Sequence, residues 1–279
     1  MKGRAIKVDA NYRLEERRAQ EIAHWAQRRQ NLGWQAIVVD AIQANQLRPC
    51  YEGKGDLYSE NRQMFHNILR DAGGWEDRRV LDYGCGSGNW SAYYALTGAR
   101  EVVAFDFNAV GIKIAKQLVA HHHLEDKVKL YVMDATALAL ASNQFDLVIG
   151  VGVLHHTIKY EGVFEELYRV MKPGGRAYFL ENLSDFVLWR VWWWLHGERP
   201  EGDVPVFSRD LREKARMFSG LEIVGDTFIH SARTFVYKPQ MGLWRRRLLR
   251  TTHGIDNMLF GAFPKLRNLG SFCYIMLQK

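Results

Sequence analysis

The sequence predicts an α/β chain built on a mostly parallel, doubly wound sheet, with helices ahead of it and a cap of helical and strand segments behind it. Three observations carry this expectation. Between residues 79 and 182, short apolar runs alternate with stretches whose apolar residues recur at helical spacing, the rhythm of a parallel sheet covered on both faces. The first run ends in an acid and enters alternating glycines at Gly84, Gly86 and Gly88, as a tight strand-to-helix turn requires. The chain has 279 residues, 47% of them hydrophobic, enough for one substantial core. The implied organisation is an N-terminal helical extension at 1–75, a ligand-binding core at 76–183, and a segment at 184–279 that completes the sheet and caps its functional edge.

Each element has its own signal. Leu14, Ile22, Trp25 and Ala26 fall near one face of a charged helix over 14–30. A second amphipathic helix over 57–69 carries Met64, Phe65, Ile68 and Leu69 and ends at Gly73-Gly74. Strands are expected at Val80–Asp82, Glu101–Asp106, Val128–Met133, Phe145–Val151 and Arg176–Glu181. Val110, Ile114, Leu118 and Val119 give a helix between the second and third, and Val163, Phe164, Leu167, Val170 and Met171 give one between the fourth and fifth. Pro173-Gly174-Gly175 then turns the chain back into a strand. Beyond Glu181, 209–218 reads as helical, and 221–227, 234–237 and 272–277 read as strands.

Several classes are disfavoured. The N-terminus, Met1-Lys2-Gly3-Arg4, lacks the apolar stretch of a secretory signal, and the most apolar runs are far shorter than the roughly 20 residues of a membrane span. Cys50, Cys85 and Cys273 have no paired spacing, which argues against a disulfide scaffold or a structural zinc site and fits a reducing cytoplasm. The net charge of +7 permits an anionic partner, with the densest basic clusters at 13–29 and 245–250.

The strongest motif is V-L-D-Y-G-C-G-S-G from Val80 to Gly88. A second strand ends in Asp106 roughly 20 residues later, where an acid can bind both hydroxyls of an adenosine ribose. The loop is G-x-G-x-G rather than G-x-G-x-x-G, so a pyrophosphate cradle is less well supported and a nicotinamide-dependent oxidoreductase becomes the alternative. With M-D-A at Met133 to Ala135, F-D-L-V-I-G-V-G-V-L-H-H at Phe145 to His156 and L-Y-R-V-M-K-P-G-G-R at Leu167 to Arg176, the chain resembles class I S-adenosylmethionine-dependent methyltransferases acting on small molecules, whose fold is Rossmann-like. The resemblance covers about Val80 to Glu181. It implies S-adenosylmethionine as cofactor, with Gly84, Cys85, Gly86 and Gly88 beside its methionine and ribose and Asp82 fixing the loop and amino group. It further implies Asp106 on the ribose, Phe107 and Ala135 at the adenine, Asp134 accepting from the exocyclic amine, and Val151 and Gly152 as the floor. An Asp at position 134 is also what a turn after a strand would select.

An activated sulfonium leaves the protein to align an acceptor and, where needed, remove a proton. His155 and His156 follow the fourth strand at the edge where open α/β sheets bind ligands, and Glu181 ends the fifth, so these are the candidate bases. Oxygen is the favoured acceptor atom; nitrogen, carbon, or a noncatalytic cofactor-binding scaffold are the alternatives. Trp189, Trp192 and Trp193 share a helical face suited to roofing an acceptor pocket or to plain core packing. His121-His122-His123 cannot converge on one ion from consecutive helical positions and reads as a solvated helix end. Arg245, Arg246, Arg247 and Arg250, interleaved with Leu243, Trp244, Leu248 and Leu249, suit an anionic acceptor or an acidic membrane surface, and equally an ordinary amphipathic helix. Nucleic acid is disfavoured, because neither an N-P-P-Y or D-P-P-Y element nor paired cysteines are present.

Overall fold

The computed structural model describes residues 71–182, 206–227, 254–256, 258–270 and 272–279, together with the single positions 23, 68 and 251. The expected strand at 234–237, Trp189, Trp192, Trp193 and the 245–250 cluster lie outside the described residues, as do Cys50 and nearly all of the expected N-terminal helices.

Seven strands form one sheet: β1 (Arg79–Tyr83), β2 (Glu101–Asp106), β3 (Val128–Val132), β4 (Phe145–Val151), β5 (Met171–Asn182), β6 (Gly220–Thr227) and β7 (Phe272–Gln278). Their order is β3-β2-β1-β4-β5-β7-β6, with the first five parallel and β7 antiparallel to both of its neighbours. Central strands buried on both faces read as continuous apolar runs rather than alternating ones, which is why Val80-Leu81 and Leu147-Val148-Ile149 announce themselves in the sequence.

Alternation across the pleat divides the core in two. Leu81, Tyr83, Val103, Phe105, Val148 and Phe179 point into one apolar cluster, and Val80, Val102, Leu147, Ile149 and Tyr178 into the other. Helices α1 (Asn89–Leu96) and α2 (Ala109–His121) close the second cluster with Ala92, Tyr93, Tyr94, Leu118 and Val119. Two helices, α4 (Val163–Val170) and α5 (Ser208–Lys214), close the first with Phe164, Leu167 and Leu211, after a single turn, α3 (Leu154–Thr157). The expected 209–218 helix is therefore α5 followed by a 3-10 turn at Ala215–Met217.

One element boundary is set by tertiary pairing and another by a local cap. β5 begins at Met171, which pairs with Phe145; pairing then resumes at Leu147 with Arg176. The expected Pro173-Gly174-Gly175 turn is thus an excursion within one long strand, with Gly174 at φ +74°. At the start of α2, Asn108 accepts from the N–H groups of Val110 and Gly111, satisfying donors that the first helical turn leaves open.

Candidate active site

The strand order reverses direction on either side of β1, and the C-terminal ends of β1, β2 and β4 open a crevice there, the place where doubly wound sheets bind ligands. The crevice is a cavity of about 340 Å³, within the size range of small-molecule sites. Its wall includes Gly84, Cys85, Gly86, Asp106, Phe107, Asp134, Ala135, Val151, Gly152 and His156 from among the residues singled out in the sequence. Asp106 and Asp134, 28 positions apart in the chain, share this one space because β2 and β3 are parallel neighbours.

The glycine loop is held from both sides. Asp106 accepts from the Gly86 N–H through Oδ2 at 2.8 Å and from the Asn108 N–H through Oδ1 at 2.9 Å, so the acid that faces the cavity also ties the loop to β2. Gly84 sits at φ +72°, and a Cβ there would stand 2.4 Å from Cγ2 of Val153. Gly88 caps α1 in the left-handed region, and its missing Cβ lets the loop lie against Ala115 of α2.

Asp82 and Gly88 are not in the cavity wall. Asp82 is buried behind the loop, where Oδ2 accepts from the Ser91 hydroxyl at 2.5 Å. Burial pushes its carboxyl up to about 7, Ser91 pulls it back, and the neighbouring charge of Asp106 adds to the rise. At the other rim, Asp134 uses Oδ1 to accept from both the N–H and the hydroxyl of Thr136, each at 2.9 Å. It is the turn-forming Asp that its position suggests, and it remains half-buried in the cavity wall.

The region after β4 is built around Glu181. Its buried carboxylate accepts from the Val153 and Leu154 N–H groups at 2.7 and 2.6 Å through Oε1, and meets Nδ1 of His155 at 2.7 Å through Oε2. Three groups therefore converge on one side chain, and Glu181 stands outside the cavity as the anchor of α3. His155 also stays outside the wall, while the adjacent His156 is in it; their ring centroids lie 3.9 Å apart. His121 ends α2, and His123 leaves it at φ +55°.

Sequence reasoning missed part of the wall: Tyr83, Trp90, Phe105, Met133, Thr136, Val153, Thr157 and Tyr160. Tyr83 and Val153 lie within the quoted motifs, Trp90 two residues beyond the first and Tyr160 four residues beyond His156, so membership of the motifs or proximity to them was the available signal.

A model of the methyltransferase domain family matches residues 81–179. The demethylmenaquinone methyltransferase of Lactiplantibacillus plantarum is 34% identical over 188 residues, which cover 66% of this chain and 77% of that enzyme. The chain belongs to the class I S-adenosylmethionine-dependent methyltransferases. Within this group, the sterol 24-C-methyltransferase of Pneumocystis carinii is 34% identical over 110 residues, 39% of this chain but only 29% of that longer enzyme. In fold, the geranyl diphosphate C-methyltransferase of Streptomyces coelicolor A3(2) superposes with a TM-score of 0.53 at 14% identity, over 78% of each chain.

The residues present fit the cofactor of this methyltransferase family. Loop backbone at Gly84 to Gly86, a buried acid at the end of β2 and an acid with an adjacent buried amide at Asp134-Ala135 surround a single cavity whose remaining lining is largely apolar. S-adenosylmethionine supplies, when bound, a methyl carbon already activated by a sulfonium. Among the described residues, no group of three or more His, Cys, Asp or Glu side chains is arranged to hold a metal ion, and no helix is long and apolar enough to cross a membrane.

Proposed function

We propose that this methyltransferase moves a methyl group to an oxygen of a small apolar acceptor, with His156 as the base that takes the acceptor's proton. The observation that carries the reading is the presence of His156 in the same cavity wall as Asp106 and Asp134. A base must reach the acceptor atom, and of the two adjacent histidines this is the one in the wall. The Glu181–His155 pair acts through position: it fixes the turn on which His156 is carried.

In this reading Asp106 takes the ribose hydroxyls while also accepting from the Gly86 and Asn108 N–H groups, and Asp134 takes the adenine amine from the rim where its Oδ1 accepts from Thr136. Phe107, Met133 and Val151 border the base and the floor. Asp82 acts from behind, by holding the glycine loop against α1 through Ser91. Tyr83, Phe105, Val153 and Tyr160 give the wall an apolar character suited to a ring-bearing or isoprenoid acceptor. Quinone- and sterol-methylating relatives support the same class.

Carbon methylation is the second reading, favoured by the relative named for a sterol 24-C position. One experiment separates the two. The full chain is incubated with S-adenosylmethionine carrying a deuterated methyl group and a lipid extract, and products that gain the label are isolated. Label on oxygen, read by carbon NMR, supports the proposal; label on carbon selects the second reading. Cofactor binding without labelled product across lipid and phenolic acceptors would leave a noncatalytic binding protein.

A further inference from the structure

Residues 133–144, which join β3 to β4, form neither helix nor strand, yet Met133, Asp134, Ala135 and Thr136 belong to the cavity wall. The aim of Asp134 therefore depends on what holds a loop whose backbone groups have no ladder of their own to pair with. Asp134 and Ala137 form an isolated bridge, in which the Ala137 N–H donates to the Asp134 carbonyl at 3.2 Å. That turn runs directly into Leu138, which belongs to the same buried cluster as Ala135, Phe164 and Leu167.

Both backbone groups of Leu138 are held by one ion pair on α4. Glu166 Oε2 accepts from the Leu138 N–H at 2.7 Å, and Arg169 Nη2 donates to the Leu138 carbonyl at 2.9 Å. Arg169 Nη1 reaches further along the loop, to the Leu140 carbonyl at 2.7 Å and the Ser142 hydroxyl at 3.3 Å. Its other two contacts are with Glu166, from Nε to Oε1 at 2.7 Å and from Nη2 to Oε2 at 2.8 Å. The five N–H donors of a guanidinium are thus matched by five contacts, three of them on the loop. The start of α4 also abuts the loop, because a Cβ on its N-cap Gly162 would stand 3.1 Å from the Thr136 carbonyl.

Glu166 and Arg169 stand outside the cofactor cavity, so any effect they have on it passes through the loop. A hydrogen bond to an amine is directional, whereas apolar contact with a ring is not. A loop released from α4 therefore loses the first before the second.

We propose that Glu166 and Arg169 are positioning residues for adenine recognition, clamping the β3–β4 loop so that Asp134 meets the exocyclic amine of the cofactor. This rests on the reading of Asp134 given under the proposed function.

The test is calorimetric titration of the full chain with S-adenosylhomocysteine and with S-inosylhomocysteine, which carries a carbonyl oxygen where adenine carries its amine. The native chain should prefer the adenosyl compound on the order of fivefold, the worth of about one hydrogen bond. Arg169→Ala and Glu166→Ala should each cut that preference to about twofold or less, by weakening the adenosyl compound while the inosyl compound binds nearly as before. Unchanged affinity for the inosyl compound reports that the rest of the site is intact. Arg169→Lys lacks the planar fork needed for Glu166 and the loop at once, so it should fall between, and it decides the matter where alanine at 169 does not fold. Native preference in the Glu166 variant, or in both Arg169 variants, overturns the proposal even where both affinities drop, since the pair would then only support the fold. Asp134→Ala distinguishes this failure from that of the adenine reading. Preference lost in Asp134→Ala but kept in the α4 variants sinks the clamp alone, whereas preference kept in Asp134→Ala sinks the adenine reading and the clamp with it.

Discussion

Glu181 meets His155 at 2.7 Å while its other oxygen accepts from the backbone of Val153 and Leu154, so one buried carboxylate holds both an imidazole and the turn that bears it. The two oxygens have separable effects. Glu181→Ala leaves two interior N–H groups without their acceptor and is expected to destabilise the fold by about 2–5 kcal/mol, measured by denaturant titration. Glu181→Gln keeps an acceptor oxygen for the turn and should cost less, yet it replaces a charge facing His155 with a neutral amide. Equal stability losses in the two variants would contradict this division.

His156→Ala should lower kcat about 100-fold or more, the usual contribution of a positioned base, while leaving cofactor affinity nearly unchanged. Steady-state kinetics alongside calorimetric titration with S-adenosylmethionine separates the two quantities. A variant that retains full turnover removes His156 from the chemistry.

Asp106→Ala should weaken S-adenosylmethionine binding at least about tenfold, because it removes charged hydrogen bonds worth about 1.5–3 kcal/mol each and also frees the Gly86 amide from β2. Asp134→Ala should weaken it less, since half of that carboxylate already serves the Thr136 turn. Thermal shifts with S-adenosylmethionine, S-adenosylhomocysteine and NAD check both, and only the first two ligands should raise the melting temperature. Stabilisation by NAD alone would contradict the cofactor assignment.

Much of the sheet was legible because its central strands are apolar on both faces, and β1, β2 and β5 carry an acid at or next to their last residue, a pattern local to each run. Less legible was where an element stops when a distant partner decides it. Met171 reads as the last turn of a helix, but pairing with Phe145 draws it into β5, and no local signal reports that contact. The cavity was legible at its glycines and acids, since Gly84 and Asp106 are demanded by backbone conformation and charge. Direction was the missing information: Asp82 and Gly88 belong to the same motif as Gly84 and Gly86, yet point away from the cavity toward Ser91 and Ala115. Likewise, adjacency gives His155 and His156 equal standing until the position of Glu181 separates them.

Asp82 makes a prediction about pH. Its carboxyl is raised from 3.8 to about 7 by burial, with Asp106 adding to the rise. The folded state therefore holds a proton that the unfolded state releases, and the slope of stability with pH is negative between those values. Stability linked to this group is fully present below about pH 4 and is lost as pH rises through about 7. Asp82→Asn keeps an oxygen for the Ser91 hydroxyl and removes the titration. It should exceed the native chain in stability at about pH 8, with the gap closing as pH falls toward 4. Denaturant titrations across that range provide the check, and a gap independent of pH would exclude the linkage.

Gly84 supplies the sharpest test of the loop, because two separate penalties meet at one residue. Its φ of +72° is strained for any side chain, and a Cβ would lie 2.4 Å from Cγ2 of Val153. Gly84→Ala should therefore destabilise the protein and abolish measurable cofactor binding, since the loop must move away from the end of β4. Adding Val153→Ala removes Cγ2, the atom struck hardest, but leaves Cβ at 3.0 Å and the backbone conformation unchanged. The double variant should recover part of the stability and only part of the affinity, as measured by denaturant titration and calorimetry. Full recovery would mean that collision with Val153 is the whole reason for glycine at this position, and no recovery would mean that conformation alone demands it.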